Sequence, residues 1–307
     1  YTYSSGSEDP KVTISAKIDP TDTENKFNIT LTVDTKQDVE ITTTTPDAAV
    51  VLVIDVSSSM NNVIQGRRKI EAAKEAAIAF AQDFVRDNGG AHRYISVVAF
   101  DEDATTVLNW TDAKDITNWS SAAGNDVYGA ISGLTTGSGT CIEGGLQMAY
   151  NLLGVSTVSS LENKFVVLLS DGEPYNRVNS NRNSLTKIFG TSTNTNNAKT
   201  AAKAVADKIT DPDDRDTDLY SIYFNSDTST AVTWLKTFSK TYAASDATEL
   251  LGAFEAIIDQ IELVTKAWSV TAPMGAFIRF DSLISSDVPP EAIVTPTADN
   301  GYQLTWN

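Results

Sequence analysis

The stretch Val51-Leu52-Val53-Ile54-Asp55-Val56-Ser57-Ser58-Ser59-Met60 constrains this chain more than any other. Its opening residues are β-branched or aliphatic with no polar break. Such a run suits a strand buried on both faces, as in the middle of a parallel sheet. Asp55 then stands at the strand's carboxyl end, where open α/β sheets bind ligands. Asp-x-Ser-x-Ser puts one carboxylate and two hydroxyls on a tight loop, and hard oxygen donors aimed at one spot suit Mg²⁺ or a similar cation. The same residues are also the chemistry of a helix N-cap, so the motif by itself leaves both readings open.

The surrounding pattern decides the fold class. From Ala48 onward, buried strands alternate with helices. Arg67 to Val85 carries Ile70, Ala73, Ala77, Phe80, Ala81 and Phe84 on one stripe at helical spacing, and Asn88-Gly89-Gly90 stops it. Ile95–Phe100 is a second buried strand, Thr105–Leu108 a short edge strand, and 125–134 a short helix. The glycine-rich Thr135–Thr140 leads into an amphipathic helix, and Lys164–Ser170 is a strand ending in Asp171-Gly172. A long Asn/Ser/Thr loop is expected over 175–196, then a helix at 197–209, a strand at Leu219–Phe224, a short helix at 230–239 and a last helix at 246–264. This order predicts a doubly wound, mostly parallel α/β sheet over 48–264.

The flanks read differently. Lys11–Ile18, Phe27–Val33 and Val39–Thr44 are strands separated by turn residues such as Asp19-Pro20. After Thr265, Trp268–Ala272, Ala276–Phe280, Ala292–Thr295 and Tyr302–Trp306 are strand-like again. Neither flank alone has enough strands to cover a core. The economical expectation is one discontinuous, immunoglobulin-like antiparallel β-sandwich built from 1–47 and 265–307, with the α/β domain inserted in it.

Composition narrows the partners. A net charge of -17 argues against nucleic acid and anionic membrane surfaces, both of which need a basic patch. No segment approaches the roughly 18 unbroken apolar residues of a membrane span. The single cysteine, Cys141, allows no internal disulfide and is expected to be a small residue near the site. Few cysteines together with strands rich in Thr, Ser and Asn fit a bacterial cell-surface protein.

Thr140, just ahead of a helix, and Asp171, at the end of an interior strand, should join Asp55, Ser57 and Ser59 at the carboxyl edge of the sheet. With these five positions in this order, residues 48–264 resemble the von Willebrand factor A domain and its metal-ion-dependent adhesion site. The resemblance implies a site for Mg²⁺, Mn²⁺ or Ca²⁺ at Asp55, Ser57, Ser59, Thr140 and Asp171. It also implies an open coordination position filled by a ligand's Asp or Glu, and a last helix able to shift between affinity states. Glu143 and Glu173 are expected at the rim as solvated carboxylates.

Enzyme readings find little support. Ser57 stands where aspartate-nucleophile phosphatases place a second acid. There is no P-loop lysine after a Gly-x-x-x-x-Gly pattern and no Gly-x-Ser-x-Gly elbow. The one histidine, His92, falls in a predicted surface turn, which disfavours a Ser-His-Asp triad. Gly137-x-Gly139 lacks the third glycine of a dinucleotide loop.

An A domain interrupting a β-sandwich further resembles the tip adhesins of Gram-positive pili and other cell-wall adhesins. That likeness implies an extracellular place on a bacterial cell wall or pilus tip, a role in virulence, and a host matrix or cell-surface protein as ligand. Another pilus subunit or bacterial protein is the alternative partner. It also implies an isopeptide crosslink, for which Lys11 and Lys17 on the first strand and Asn307 on the last are candidates.

Overall fold

The computed structural model describes residues 12–20, 27–35, 40–86, 88–184, 186–226, 230–265, 267–271, 293–296 and 302–306, with side chains within 45–262 apart from 181–183. The chain divides into two compact units, Tyr1–Thr44 with Ala267–Asn307 and Thr45–Lys266.

In the first unit, β1 (Val12–Pro20) and β2 (Phe27–Thr35) form an antiparallel pair, from Val12 opposite Thr35 to Pro20 opposite Phe27. The strand β3 (Glu40–Thr44) belongs to a separate antiparallel sheet whose other strands come from the far end of the chain. Thr44 pairs with Ala267 in this sheet, joining the two segments of the first unit. Lys11, Asn307 and the expected strand Ala276–Phe280 lie outside the described residues, as does the side chain of Lys17.

The second unit begins with β4 (Ala48–Asp55), every residue of which is buried. A one-turn 3₁₀ helix (Ser58–Asn61) and a two-stranded ribbon, β5 (Val63–Ile64) with β6 (Arg67–Arg68), lead into α1 (Lys69–Phe84). Then come β7 (Arg93–Phe100), β8 (Ala104–Asp112), α2 (Asp126–Ser132), α3 (Ile142–Leu153) and β9 (Asn163–Ser170). The hairpin β10 (Asn176–Asn183) and β11 (Lys187–Ser192) precedes α4 (Thr195–Thr210). The unit closes with β12 (Asp218–Phe224), α5 (Thr230–Leu235), β13 (Lys240–Ala244) and α6 (Ala247–Thr265). In the other unit, β14 (Ala267–Thr271), β15 (Ile293–Pro296) and β16 (Tyr302–Trp306) complete the sheet of β3 in the order β15-β16-β14-β3.

The central sheet runs β10-β11-β8-β7-β4-β9-β12-β13. Strands β7, β4, β9, β12 and β13 are parallel, while β8, β11 and β10 are joined antiparallel. Alternate residues of β4 feed opposite faces, as a pleated strand requires. Val50, Leu52 and Ile54 join the core beneath α1, α2 and α6; Val51 and Val53 join the core beneath α3, α4 and α5. The chain leaves β4 for β7 on one side and later returns to β9 on the other. The strand order therefore reverses at β4, and the carboxyl ends of β4 and β9 stand at the switch point where such sheets bind ligands.

Several local expectations change. Thr105–Leu108 lies inside a nine-residue strand, and β11 covers its far side, so it is not an edge. The region expected as a loop at 175–196 contains the hairpin β10–β11. Asn176-Arg-Val-Asn-Ser-Asn-Arg-Asn183 shows no apolar alternation, because its pairing rests on backbone hydrogen bonds at a polar sheet edge. The short helix at 230–239 ends at Leu235, and Lys240–Ala244 becomes an edge strand with only Ala244 buried.

Candidate metal centre

Asp55 is fully buried at the end of β4, and both of its oxygens are held. Oδ1 accepts the Ser57 N–H at 2.8 Å, and Oδ2 accepts the Ser170 hydroxyl at 2.6 Å. Burial and the neighbouring charge of Asp171 push the Asp55 carboxyl up to about 7. A buried acid in this condition is stabilised by a nearby positive charge.

The 3₁₀ turn sets the hydroxyls. Met60 N–H donates to the Ser57 carbonyl at 3.0 Å and Asn62 N–H to that of Ser59 at 2.9 Å. The turn brings the Ser57 and Ser59 hydroxyls to 2.9 Å of each other. Ser57 makes no side-chain cap to this turn, so the N-cap reading of the motif does not hold here.

From the end of β9, Asp171 receives the Ser59 hydroxyl on Oδ1 at 2.6 Å and the Lys69 ammonium on Oδ2 at 2.9 Å. Its backbone carbonyl accepts Asn225 Nδ2–H at 3.0 Å. Asp55, Ser57, Ser59 and Asp171 thus form one continuous hydrogen-bonded chain across two loops.

Backbone contacts bring in the loop that carries Thr140. Gly137 N–H donates to the Val56 carbonyl at 2.7 Å, one residue beyond Asp55. Thr140 N–H donates to Asn176 Oδ1 at 3.0 Å, and the Thr140 carbonyl accepts Tyr175 and Asn176 N–H at 2.9 and 3.0 Å. Gly139 has a φ of +77°, and a Cβ there would stand 2.7 Å from Asn176 Oδ1, so only glycine suits this corner. The three loops predicted from the sequence are interlocked, with Thr140 placed through its backbone.

The donor set suits a small, hard cation. It has neutral hydroxyls and two carboxylates, and among the described residues no group of three or more His, Cys, Asp or Glu is gathered as a metal cluster. Mg²⁺ takes oxygen ligands and usually keeps several waters, so a site with this few protein donors would leave it able to accept a further oxygen ligand.

Sequence reasoning missed Ser170, Lys69, Asn176 and Asn225. Lys69 carried a signal: it falls on the buried stripe of α1 with Ala73, Ala76 and Phe80, where a lysine needs a partner. The rim acids are also more engaged than expected. Glu143 accepts the Val178 N–H at 2.6 Å, and Glu173 is paired with Lys199 at 2.5 Å and with the Thr230 hydroxyl. They pin β10 and α4 beside the site and are not free surface charges. Cys141 is buried at the start of α3, and burial pushes its thiol up to about 12, so it is not a reactive nucleophile.

Residues 50–173 match the family model of the von Willebrand factor type A domain. The chain contains a von Willebrand factor type A domain. Solved structures share its fold. The von Willebrand factor domain of the type V pili tip protein Mfa5 from Porphyromonas gingivalis is 18% identical, with a TM-score of 0.56 over 72% of this chain and 97% of that one. The PilB minor pilin from Streptococcus sanguinis is 15% identical, with a TM-score of 0.57 over 83% and 79%. The pilus adhesin SpaC from Lactobacillus rhamnosus GG is 15% identical, with a TM-score of 0.55 over 96% of this chain and 41% of that one. No curated protein matches the sequence. Among the described residues, no helix of this A-domain protein is long and apolar enough to cross a membrane.

Proposed function

We propose that this A domain is a cation-dependent, non-catalytic protein-binding module of an adhesin on a bacterial surface, on a pilus or the cell wall. Asp55, Ser57, Ser59, Thr140 and Asp171 would hold Mg²⁺, with Mn²⁺ or Ca²⁺ as substitutes. When bound, the cation would supply a Lewis-acid contact for an Asp or Glu side chain of a host matrix or cell-surface protein. The observation that carries the reading is the hydrogen-bonded chain from buried Asp55 through Ser57 and Ser59 to Asp171. Oxygen donors from separate loops converge there with two carboxylates, one of which is strained by burial.

The fold it shares with a pilus-tip protein, a minor pilin and a pilus adhesin supports the surface setting. The antiparallel flanks, joined at Thr44 and Ala267, would form the sandwich that carries the module. A crosslink from Lys11 or Lys17 to Asn307 would lower the intact mass by one ammonia.

The test is a binding screen of the full chain against immobilised matrix proteins and pilus subunits, in Mg²⁺ and in EDTA, with Asp55→Ala alongside. Cation-dependent binding to a matrix protein, lost in Asp55→Ala, supports the reading. Cation-dependent binding to pilus subunits alone would move the role to assembly. Binding indifferent to EDTA and to Asp55→Ala would overturn the mechanism.

A further inference from the structure

Lys69 is the first residue of α1 and is only 5% exposed. Its ammonium lies 2.9 Å from Asp171 Oδ2, and both side chains are almost wholly buried. This placement is costly. Burying an ammonium forfeits hydration, and a cation at a helix N-terminus opposes the helix dipole. The helix gives no reason for a lysine here. The described polar partner of Lys69 is the Asp171 carboxylate, whose other oxygen faces the Ser59 hydroxyl.

The pairing has two effects on the site. It fixes the Asp171 carboxylate with Oδ2 turned to Lys69 and Oδ1 turned to the Ser57–Ser59 hydroxyl pair. It also changes the charge balance. Asp55 and Asp171 alone would neutralise a divalent cation in full. With one ammonium already spent against them, a loaded site keeps a surplus positive charge, and a single carboxylate from outside cancels it.

We propose that Lys69 is a built-in counter-cation of the metal centre, which weakens cation binding and leaves the loaded site in need of an external carboxylate. The inference rests on the cation reading of Asp55, Ser57, Ser59, Thr140 and Asp171. Lys69 acts through Asp171, so it is a positioning residue that sets how strongly the site holds its ion.

The experiment is a Mn²⁺ titration of the full chain, followed by electron paramagnetic resonance of free Mn²⁺, on the wild type, Lys69→Met, Lys69→Gln and Asp171→Asn. Circular dichroism melts accompany each protein. Removing a unit positive charge from a partly screened site beside a dication corresponds to at least about tenfold in affinity. Lys69→Met and Lys69→Gln should therefore bind Mn²⁺ at least about tenfold more tightly than the wild type, and Asp171→Asn more weakly. The direction separates this role from a structural one, because a site that merely loosened would bind the ion less well. Unchanged or weaker binding in folded variants would overturn the proposal. Failure of both lysine variants to fold would assign Lys69 to stability and overturn it too. A wild type that binds no Mn²⁺ removes the cation reading itself. A wild type that binds, with variants that match it, removes only the role of Lys69.

Discussion

Asp55→Asn should make the cation-free protein more stable while abolishing its response to cations. The carboxyl is fully buried and raised from 3.8 to about 7, by burial first and by Asp171 second. A folded state whose acid is raised holds a proton that the unfolded chain has released. Between those two values, stability therefore falls as pH rises, and the loss is complete above about 7. The rise corresponds to a cost on the order of 4 kcal/mol for carrying the ionised form, part of it shared with Asp171. Asparagine carries no charge and fits the same contacts. Its carbonyl can accept the Ser57 N–H, and its amide can donate to the Ser170 hydroxyl. That hydroxyl can turn to the Gly172 carbonyl, 3.4 Å away. In EDTA at pH 8, Asp55→Asn should melt roughly 5–10 °C above the wild type, and the gap should close toward pH 5. Excess Mg²⁺ should raise the wild-type melting temperature and leave the variant unmoved. Differential scanning calorimetry of both proteins, across pH and with or without Mg²⁺, measures all of this. A variant less stable than the wild type at pH 8 in EDTA, or a gap that ignores pH, would refute the reasoning.

Other perturbations test the frame around the site. A Cβ on Gly145 would meet Val53 Cγ1 at 2.8 Å and Phe100 Cδ1 at 2.9 Å, both in the core between α3 and the sheet. Gly145→Ala should cost about 1–3 kcal/mol in urea unfolding despite the better helix former. A Cβ on Gly190 would lie 1.8 Å from the Glu102 carbonyl oxygen, so Gly190→Ala should undock β11 and expose 176–192 to limited proteolysis. The Cys141 thiol, buried and raised to about 12, should resist a thiol-reactive disulfide reagent at pH 8 until the protein is unfolded in guanidinium.

The features legible in the sequence were those with a local physical signature. The unbroken apolar run of β4, the helical stripe of α1 and the Gly-rich entry to α3 each announce their structure within a dozen residues. Asp55, Ser57, Ser59 and Asp171 were readable because strand ends are where such a sheet gathers donors, and they do meet through hydrogen bonds. The hairpin β10–β11 was not readable. Strand β10 is almost wholly polar and β11 has only the adjacent pair Ile188-Phe189, so neither alternates, and the hairpin's place is set by partners distant in sequence, such as Ala104 opposite Ile188. Strand β13 is five residues long with only Ala244 buried, so burial leaves no pattern in it. Ser170 and Asn225 look like ordinary polar residues until the fold brings them to Asp55 and Asp171. Lys69 was half legible: its position on an apolar stripe signalled a buried partner, but only the structure shows that the partner is Asp171.

The three loops after β4, before α3 and after β9 are proposed to enclose one divalent cation. Crystals of the full chain grown with Mn²⁺ and measured at the manganese absorption edge would test it most directly. A single anomalous peak is expected among the side-chain oxygens of Asp55, Ser57, Ser59, Thr140 and Asp171, with the hydroxyls as direct ligands. Ordered loops with no peak between them, or a manganese ion bound elsewhere on the A domain, would contradict it.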